Sequence, residues 1–180
     1  MNILTVLEIL ITLLLLIIPT TLLVIIFCLN MIYTNLKTRV PWVRIPPANL
    51  NKILEAINLP KDATVYDLGC GDGRFLFLAE KKGYKAIGYE LAIYPYFKTL
   101  LYKFFKASKV RIERKNFFKQ NLEEADAIFI FLTKSIMEKI GEKLKPNLAA
   151  GTMIVSYGFT IPKWPVKRIL DTSPSKTYIY

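Results

Sequence analysis

The chain has 180 residues, with 25 Lys and Arg against 14 Asp and Glu and no histidine, for a net charge of +11. The lack of histidine excludes a His-based triad and a His-ligated metal, and Cys28 and Cys70 cannot fill the four positions of a thiolate zinc site, so no metal is expected. Glu8 is the one charged side chain before Lys37, which divides the chain into an apolar N-terminal part and a basic remainder long enough for one compact domain.

From Ile9 to Leu36 there is no charge, and Leu, Ile, Val, Thr and Phe dominate. About 20 residues span the hydrocarbon core of a bilayer. Residues 1–36 are therefore read as a transmembrane anchor, with a kink expected at Pro19. A cleaved signal peptide fits less well, because no Lys or Arg precedes the run, the run is long, and no Ala-x-Ala site follows. Lys37, Arg39, Arg44 and Lys52 crowd the C-terminal flank. The positive-inside rule then predicts a single-pass membrane protein with its folded domain in the cytoplasm. The two cysteines sit in unlike surroundings, which suits a reducing compartment.

Residues 37–47, with Pro41, Pro46 and Pro47, read as a stiff linker, and residues 48–180 as the folded domain. Leu50, Ile53, Leu54 and Ile57 recur at helical spacing and predict an amphipathic helix opened by Pro47-Ala48-Asn49. Thr64 to Leu68 is the first strand, Arg74 to Lys82 a helix with Gly83 as its C-cap, and Lys85 to Tyr89 the second strand. Ile93 to Ala107 is a helix rich in aromatics, with Lys98, Lys103 and Lys106 as its solvated face or, alternatively, resting on anionic lipid. Lys109 to Glu113 is the third strand. The continuous apolar run Ala127 to Leu132 marks a central parallel strand covered on both faces. Ile136, Met137, Ile140 and Leu144 line the inner face of the next helix, and Thr152 to Tyr157 is the fifth strand. Val166 to Leu170 and Lys176 to Tyr180 read as a hairpin that closes the sheet with one antiparallel edge strand. Alternating strands and helices imply an α/β fold, a doubly wound and mostly parallel Rossmann-like sheet.

The chemistry concentrates in Val65-Tyr66-Asp67-Leu68-Gly69-Cys70-Gly71-Asp72-Gly73-Arg74. Gly69, Gly71 and Gly73 let the backbone bend sharply between strand and helix and approach a ligand closely. A dinucleotide fingerprint needs glycine at the sixth position, where this chain has Arg74, and Asp72 inside the loop would repel a pyrophosphate. S-adenosylmethionine (SAM) carries a sulfonium and an ammonium, so charge favours it as the cofactor. Glu90, after the second strand, stands where a carboxylate accepts ribose hydroxyls. Asp67 is placed to orient the loop or a water beside the cofactor ammonium. Asn116 is placed to meet the adenine amino edge, or else to cap a turn, with Phe117 or Leu91 against the ring. Cys70 sits at a helix start, which can lower a thiol pKa, but nothing else marks it as a nucleophile, and it reads as a small loop residue that contributes to the cofactor site.

DLGCGDGR followed by Gly88-Tyr89-Glu90-Leu91 resembles the class I SAM-dependent methyltransferases. More narrowly, the apolar N-terminal helix, the linker Val40 to Pro47, the aromatic helix and the tail Trp164 to Tyr180 resemble the membrane-anchored protein-lysine methyltransferases that act on the ATP synthase c subunit and the ADP/ATP carrier. Cys70 stands where that family commonly has Ser, and Ala92 where it commonly has Asn. The resemblance implies a SAM-dependent enzyme that methylates a lysine of a membrane-associated protein. The residues themselves leave open a lipid, quinone or other small amphiphile as acceptor, and a non-catalytic SAM-binding membrane protein.

Thr133, Tyr157 and Trp164 follow or end strands on the side where an acceptor would enter, and a cation–π contact from Trp164 would suit an amine. Ordinary loop and core roles are the simpler reading of these three, and no residue is assigned as catalytic. Leu132-Thr133-Lys134-Ser135 replaces the Asn/Asp-Pro-Pro-Tyr common in enzymes that methylate amide or base nitrogens. The expected partners are the lipid bilayer and a membrane-protein substrate. Nucleic acid is disfavoured, because a tether restricts access to it.

Overall fold

The computed structural model describes residues 2–38 and 43–180. Arg39, Val40, Pro41 and Trp42, part of the expected linker, lie outside the described residues. The chain forms two compact units, Met1–Arg39 and Val40–Tyr180.

The first unit is helix α1, Ile3–Thr38, which continues through Pro19. Ile3–Asn30 within it is long and apolar enough to cross a membrane, and none of that span is buried against protein. Three of its threonines satisfy their hydroxyls locally. Thr12 Oγ1 donates to Glu8 O at 2.8 Å, and Thr20 and Thr21 donate to carbonyls of Leu16 and Ile17. These i−4 bonds remove the cost of bare hydroxyls on an apolar helix.

The second unit is a seven-stranded sheet in the order β3-β2-β1-β4-β5-β7-β6. The strands are β1 Thr64–Leu68, β2 Lys85–Tyr89, β3 Arg111–Glu113, β4 Ala127–Ile130, β5 Met153–Tyr157, β6 Arg168–Thr172 and β7 Ser175–Ile179. The first five are parallel, joined by helices α3 Arg74–Lys81, α4 Ile93–Phe105 and α5 Lys134–Leu144; helix α2, Pro47–Ile57, precedes β1. The period-two alternation of a buried strand divides the core in two. Val65, Ala127, Phe129 and Val155 face α2 and α3, whereas Tyr66, Leu68, Ile128, Ile130 and Ile154 face Met137, Ile140 and Leu144 of α5. The expected doubly wound α/β architecture is present.

The closing hairpin departs from expectation. Its antiparallel strand β7 does not take the edge but lies between β5 and β6, pairing Val155 with Ile179 and Ile169 with Tyr178. The reason is burial. Thr177, Ile179 and Tyr180 are buried, whereas Arg168, Ile169 and Asp171 are exposed. Tyr180 Oη accepts the Ile161 N–H at 2.7 Å, which fixes the end of the chain against the core. The turn is also tighter than read, since Thr172 and Ser175 belong to the strands.

Smaller differences have local causes. β4 stops at Ile130, where pairing to β1 and β5 ends, and Leu132 folds back over the glycine turn. α4 ends at Phe105, before Ala107 in the left-handed region. A short 3-10 turn, Phe117–Lys119, follows β3.

Candidate functional site

The strand order reverses between β1 and β4, and the crevice at the carboxyl ends of strands flanking such a point is the usual ligand position in this architecture. Asp67, Glu90, Asn116 and Thr133 are brought to that edge from the ends of β1, β2, β3 and β4.

The glycine turn is held from several sides. Gly69 and Cys70 N–H groups both donate to Tyr89 O, at 2.9 and 3.1 Å, which ties the turn to β2. Gly73 N–H donates to Cys70 O at 2.9 Å. Gly69, Gly71 and Gly73 all have positive φ, at 82, 55 and 72°, the left-handed region that side chains disfavour. A Cβ on Gly73 would also lie 2.5 Å from Thr99 Cγ2. Below the turn, a Cβ on Gly88 would lie 2.4 Å from Leu76 Cδ1 and 2.7 Å from Cys70 Sγ, so β2 and α3 approach as closely as glycine permits.

Glu90 is the hub. Its Oε2 accepts the Gly71 N–H at 2.8 Å and its Oε1 accepts the Ala92 N–H at 2.7 Å. Burial raises its pKa, opposed by these backbone donors. Each oxygen keeps a further lone pair for a hydroxyl donor. Asp67 is 4 % exposed, and no hydrogen bond or ion pair to its carboxylate is found among the described residues. Desolvation pushes its pKa well above the ordinary carboxylate value, and the charges of Glu90 and Asp72 push it further.

Asp72 differs from its two neighbours. Arg74 Nε lies 3.1 Å and Lys98 Nζ 3.7 Å from its Oδ2. Asp72 is therefore paired with cations within the chain, and repulsion of a pyrophosphate comes chiefly from Asp67 and Glu90 instead. The chemistry of this donor set fits SAM. A cation placed here offsets two crowded acids, a carboxylate with spare lone pairs meets hydroxyls, and bare backbone lets the ligand approach.

Cys70 is buried, and its pKa is raised well above the ordinary thiol value by desolvation and then by Asp67 and Glu90. Burial thus outweighs the lowering that a helix start can give a thiol, and the sulfur packs against Gly88. Asn116 Oδ1 accepts the Phe118 N–H at 3.0 Å and caps the 3-10 turn. Phe117 is half-buried against Phe118, with ring centroids 4.4 Å apart, and Leu91 is exposed.

The residues expected on the acceptor side are more dispersed. Thr133 begins α5, with its Oγ1 3.1 Å from Ser135 Oγ. Tyr157 is buried edge-on to Phe131, with centroids 4.9 Å apart. Trp164 packs edge-on to Tyr180 at 6.1 Å and against Gly141 of α5. Tyr157 and Trp164 thus occupy packing positions.

Thr99 is the residue that sequence reasoning missed. It is fully buried, and its Oγ1 lies 3.0 Å from Gly71 O and 2.9 Å from Pro95 O. It ties α4 to the turn across 28 positions of sequence. A lone threonine among aromatics and lysines carries no sequence signal of that contact.

Comparison with known proteins agrees with this geometry. The ANTKMT methyltransferase domain matches residues 67–168. A protein-lysine N-methyltransferase from Saccharolobus islandicus is 33% identical over 135 residues, covering 73% of this chain and 84% of that protein. The adenine nucleotide translocase lysine N-methyltransferase of Mus musculus is 26% identical, covering 81% of this chain and 64% of that protein. Among solved structures, an RNA methyltransferase from Salinibacter ruber in complex with S-adenosyl-L-homocysteine superposes with a TM-score of 0.73 at 25% identity, covering 77% of this chain and 92% of that one. The methyltransferase fold and the SAM dependence read from the glycine motif are borne out. With its glycine turn, its acidic strand ends and a match across more than half its length, this chain belongs to the ANTKMT methyltransferase domain family.

Proposed function

We propose that the chain is a protein-lysine methyltransferase held at a membrane by α1. The observation that carries the reading is the pair of strand-end carboxylates, Asp67 and Glu90, with no cation paired to them among the described residues, beside a backbone turn of bare glycines. The relatives named above support lysine as the acceptor, and the length and exposure of Ile3–Asn30 support the anchor, which leaves residues 48–180 as the catalytic domain.

Bound at this turn, SAM supplies a methyl group activated by its sulfonium. Gly69, Gly71 and Gly73 admit it to the backbone, and Glu90 holds the turn against β2 while offering lone pairs to ribose hydroxyls. Asp67 supplies negative charge toward the amino-acid end. Asn116, Phe117, Leu91 and the Cys70 backbone complete the proposed cofactor side, and Thr133, Tyr157 and Trp164 remain the proposed acceptor-side residues, of which Tyr157 ends β5 and Thr133 precedes α5. Lysine has a reference pKa of about 10.4 and reacts only when neutral. Desolvation beside a cation lowers that value, so a chain without histidine suffices. Orientation of the two reactants contributes up to about 7 to 11 kcal/mol.

The test is incubation of the full chain, reconstituted in bilayers, with methyl-labelled SAM and membranes of its source. The expected result is label in a protein band that yields methyl-lysine on digestion. Label confined to extracted lipid supports an amphiphile as acceptor and overturns the lysine reading. Absence of label, with SAM binding intact, overturns catalysis.

A further inference from the structure

The outward stripe of α4 is apolar. Phe97 and Leu101 are each 59 % exposed, Phe104 78 % and Phe105 74 %. Phe97, Leu101 and Phe104 follow the i, i+4, i+7 spacing that places side chains on one face of a helix. The lysines expected on the solvated face share the surface with these rings: Lys106 is exposed and Lys103 half-buried, while Lys98 reaches Asp72.

The stripe is not the result of a loosely held helix. Thr99 is fully buried and bonded to the glycine turn, and Tyr96 and Leu100 pack on the core. The helix is thus fixed with four large side chains facing outward. Around them lie Lys103, Lys106 and Lys109, and α4 itself carries no acidic residue. Lys106 Nζ sits 5.7 Å from the Tyr102 ring centroid. Aromatic rings beside lysines are the composition of helices that lie in the headgroup layer of a bilayer.

We infer that α4 is a second membrane contact, lying in the plane of an anionic bilayer surface with Phe97, Leu101, Phe104 and Phe105 inserted. Charge selects this occupant over a second copy of the chain. A pairing through α4 would set two lysine-bearing helices without an acidic residue against each other, whereas acidic headgroups complement the lysines. Because Thr99 joins α4 to Gly71, docking sets the candidate site about one helix diameter, roughly 10 Å, from the lipid. The inference rests on the membrane reading of α1 to bring the chain to the bilayer, but not on the identity of the methyl acceptor.

The test uses the full chain with photoreactive p-benzoylphenylalanine in place of Phe104, in bilayers of phosphatidylcholine with phosphatidylglycerol and of phosphatidylcholine alone. The same probe at Leu14 reports α1, and at Glu142, exposed on α5 across the sheet, it serves as the control. Lipid adducts at position 104 in the anionic bilayer, little at 142, and a loss of at least about threefold in the K103Q/K106Q variant are expected. Equal yields in both bilayers overturn the role of the lysines. Lipid adducts at 14 with none at 104, or adducts from 104 to protein, overturn the inference and leave the anchor standing. Lipid adducts at neither position overturn both.

Discussion

At the scale of the residue, two carboxylates govern the site. Glu90 bridges the Gly71 and Ala92 N–H groups. In Glu90→Gln, the amide must turn an N–H toward one of these donors and lose charge. Hydrogen bonds to charged groups contribute about 1.5 to 3 kcal/mol, so calorimetry is expected to show SAM affinity falling at least about tenfold, with the fold retained in circular dichroism. Asp67 has a pKa raised in the fold by burial, then by Glu90, then by Asp72. The folded state therefore binds more protons than the unfolded one as pH rises above the ordinary carboxylate range. Stability must decline across that window, up to the raised pKa. A cationic ligand reverses the shift, so SAM binding is expected to release protons. Calorimetry in buffers of different ionisation enthalpy measures that release, and Asp67→Asn should diminish it while flattening the pH dependence of Tm. Unchanged proton release in Asp67→Asn would exclude Asp67 as the source. The chain order of these acids was legible, because each follows an apolar strand. Their unequal states were not, because Arg74 and Lys98 reach Asp72 through three-dimensional packing.

At the scale of the element, the hairpin and α2 depend on one side chain. Buried Asn49 donates from Nδ2 to Thr172 O at 2.8 Å and to Ser173 O at 3.0 Å, across more than 120 positions. Asn49→Ala leaves the buried Thr172 carbonyl without its donor, at a cost of about 1 to 3 kcal/mol. Chemical denaturation is expected to show that loss, with an unchanged m-value. A change below about 0.5 kcal/mol would mean that water replaces the amide. Periodicity was enough to find α2, α3, α5 and strands β1 to β5, since each alternates or repeats within its own length. The register of the hairpin was not, because insertion of β7 between β5 and β6 depends on pairing with a strand some 20 positions away. Asn49 likewise reads in sequence as a helix opener.

At the scale of the whole molecule, the chain forms two units. If α1 anchors the chain as proposed, the protein should remain in membranes after an alkaline carbonate wash. External protease should spare the second unit in right-side-out vesicles and digest it in inverted ones. Digestion from the outside would reverse the topology drawn from Lys37, Arg39, Arg44 and Lys52, and release by carbonate would remove the anchor.

The sequence by itself determined what depends on near neighbours: an apolar run of membrane-spanning length, the glycine spacing between a strand and a helix, the acids at strand ends, and hence the fold class and a methyltransferase. Tertiary structure alone decided which acid is paired with cations, where β7 inserts, that Thr99 holds Gly71, and that α4 exposes its rings beside its lysines. The physical reason is range. Backbone propensity and periodicity act within a turn or two of chain, whereas burial and ion pairing are set by whichever side chains the completed sheet brings together.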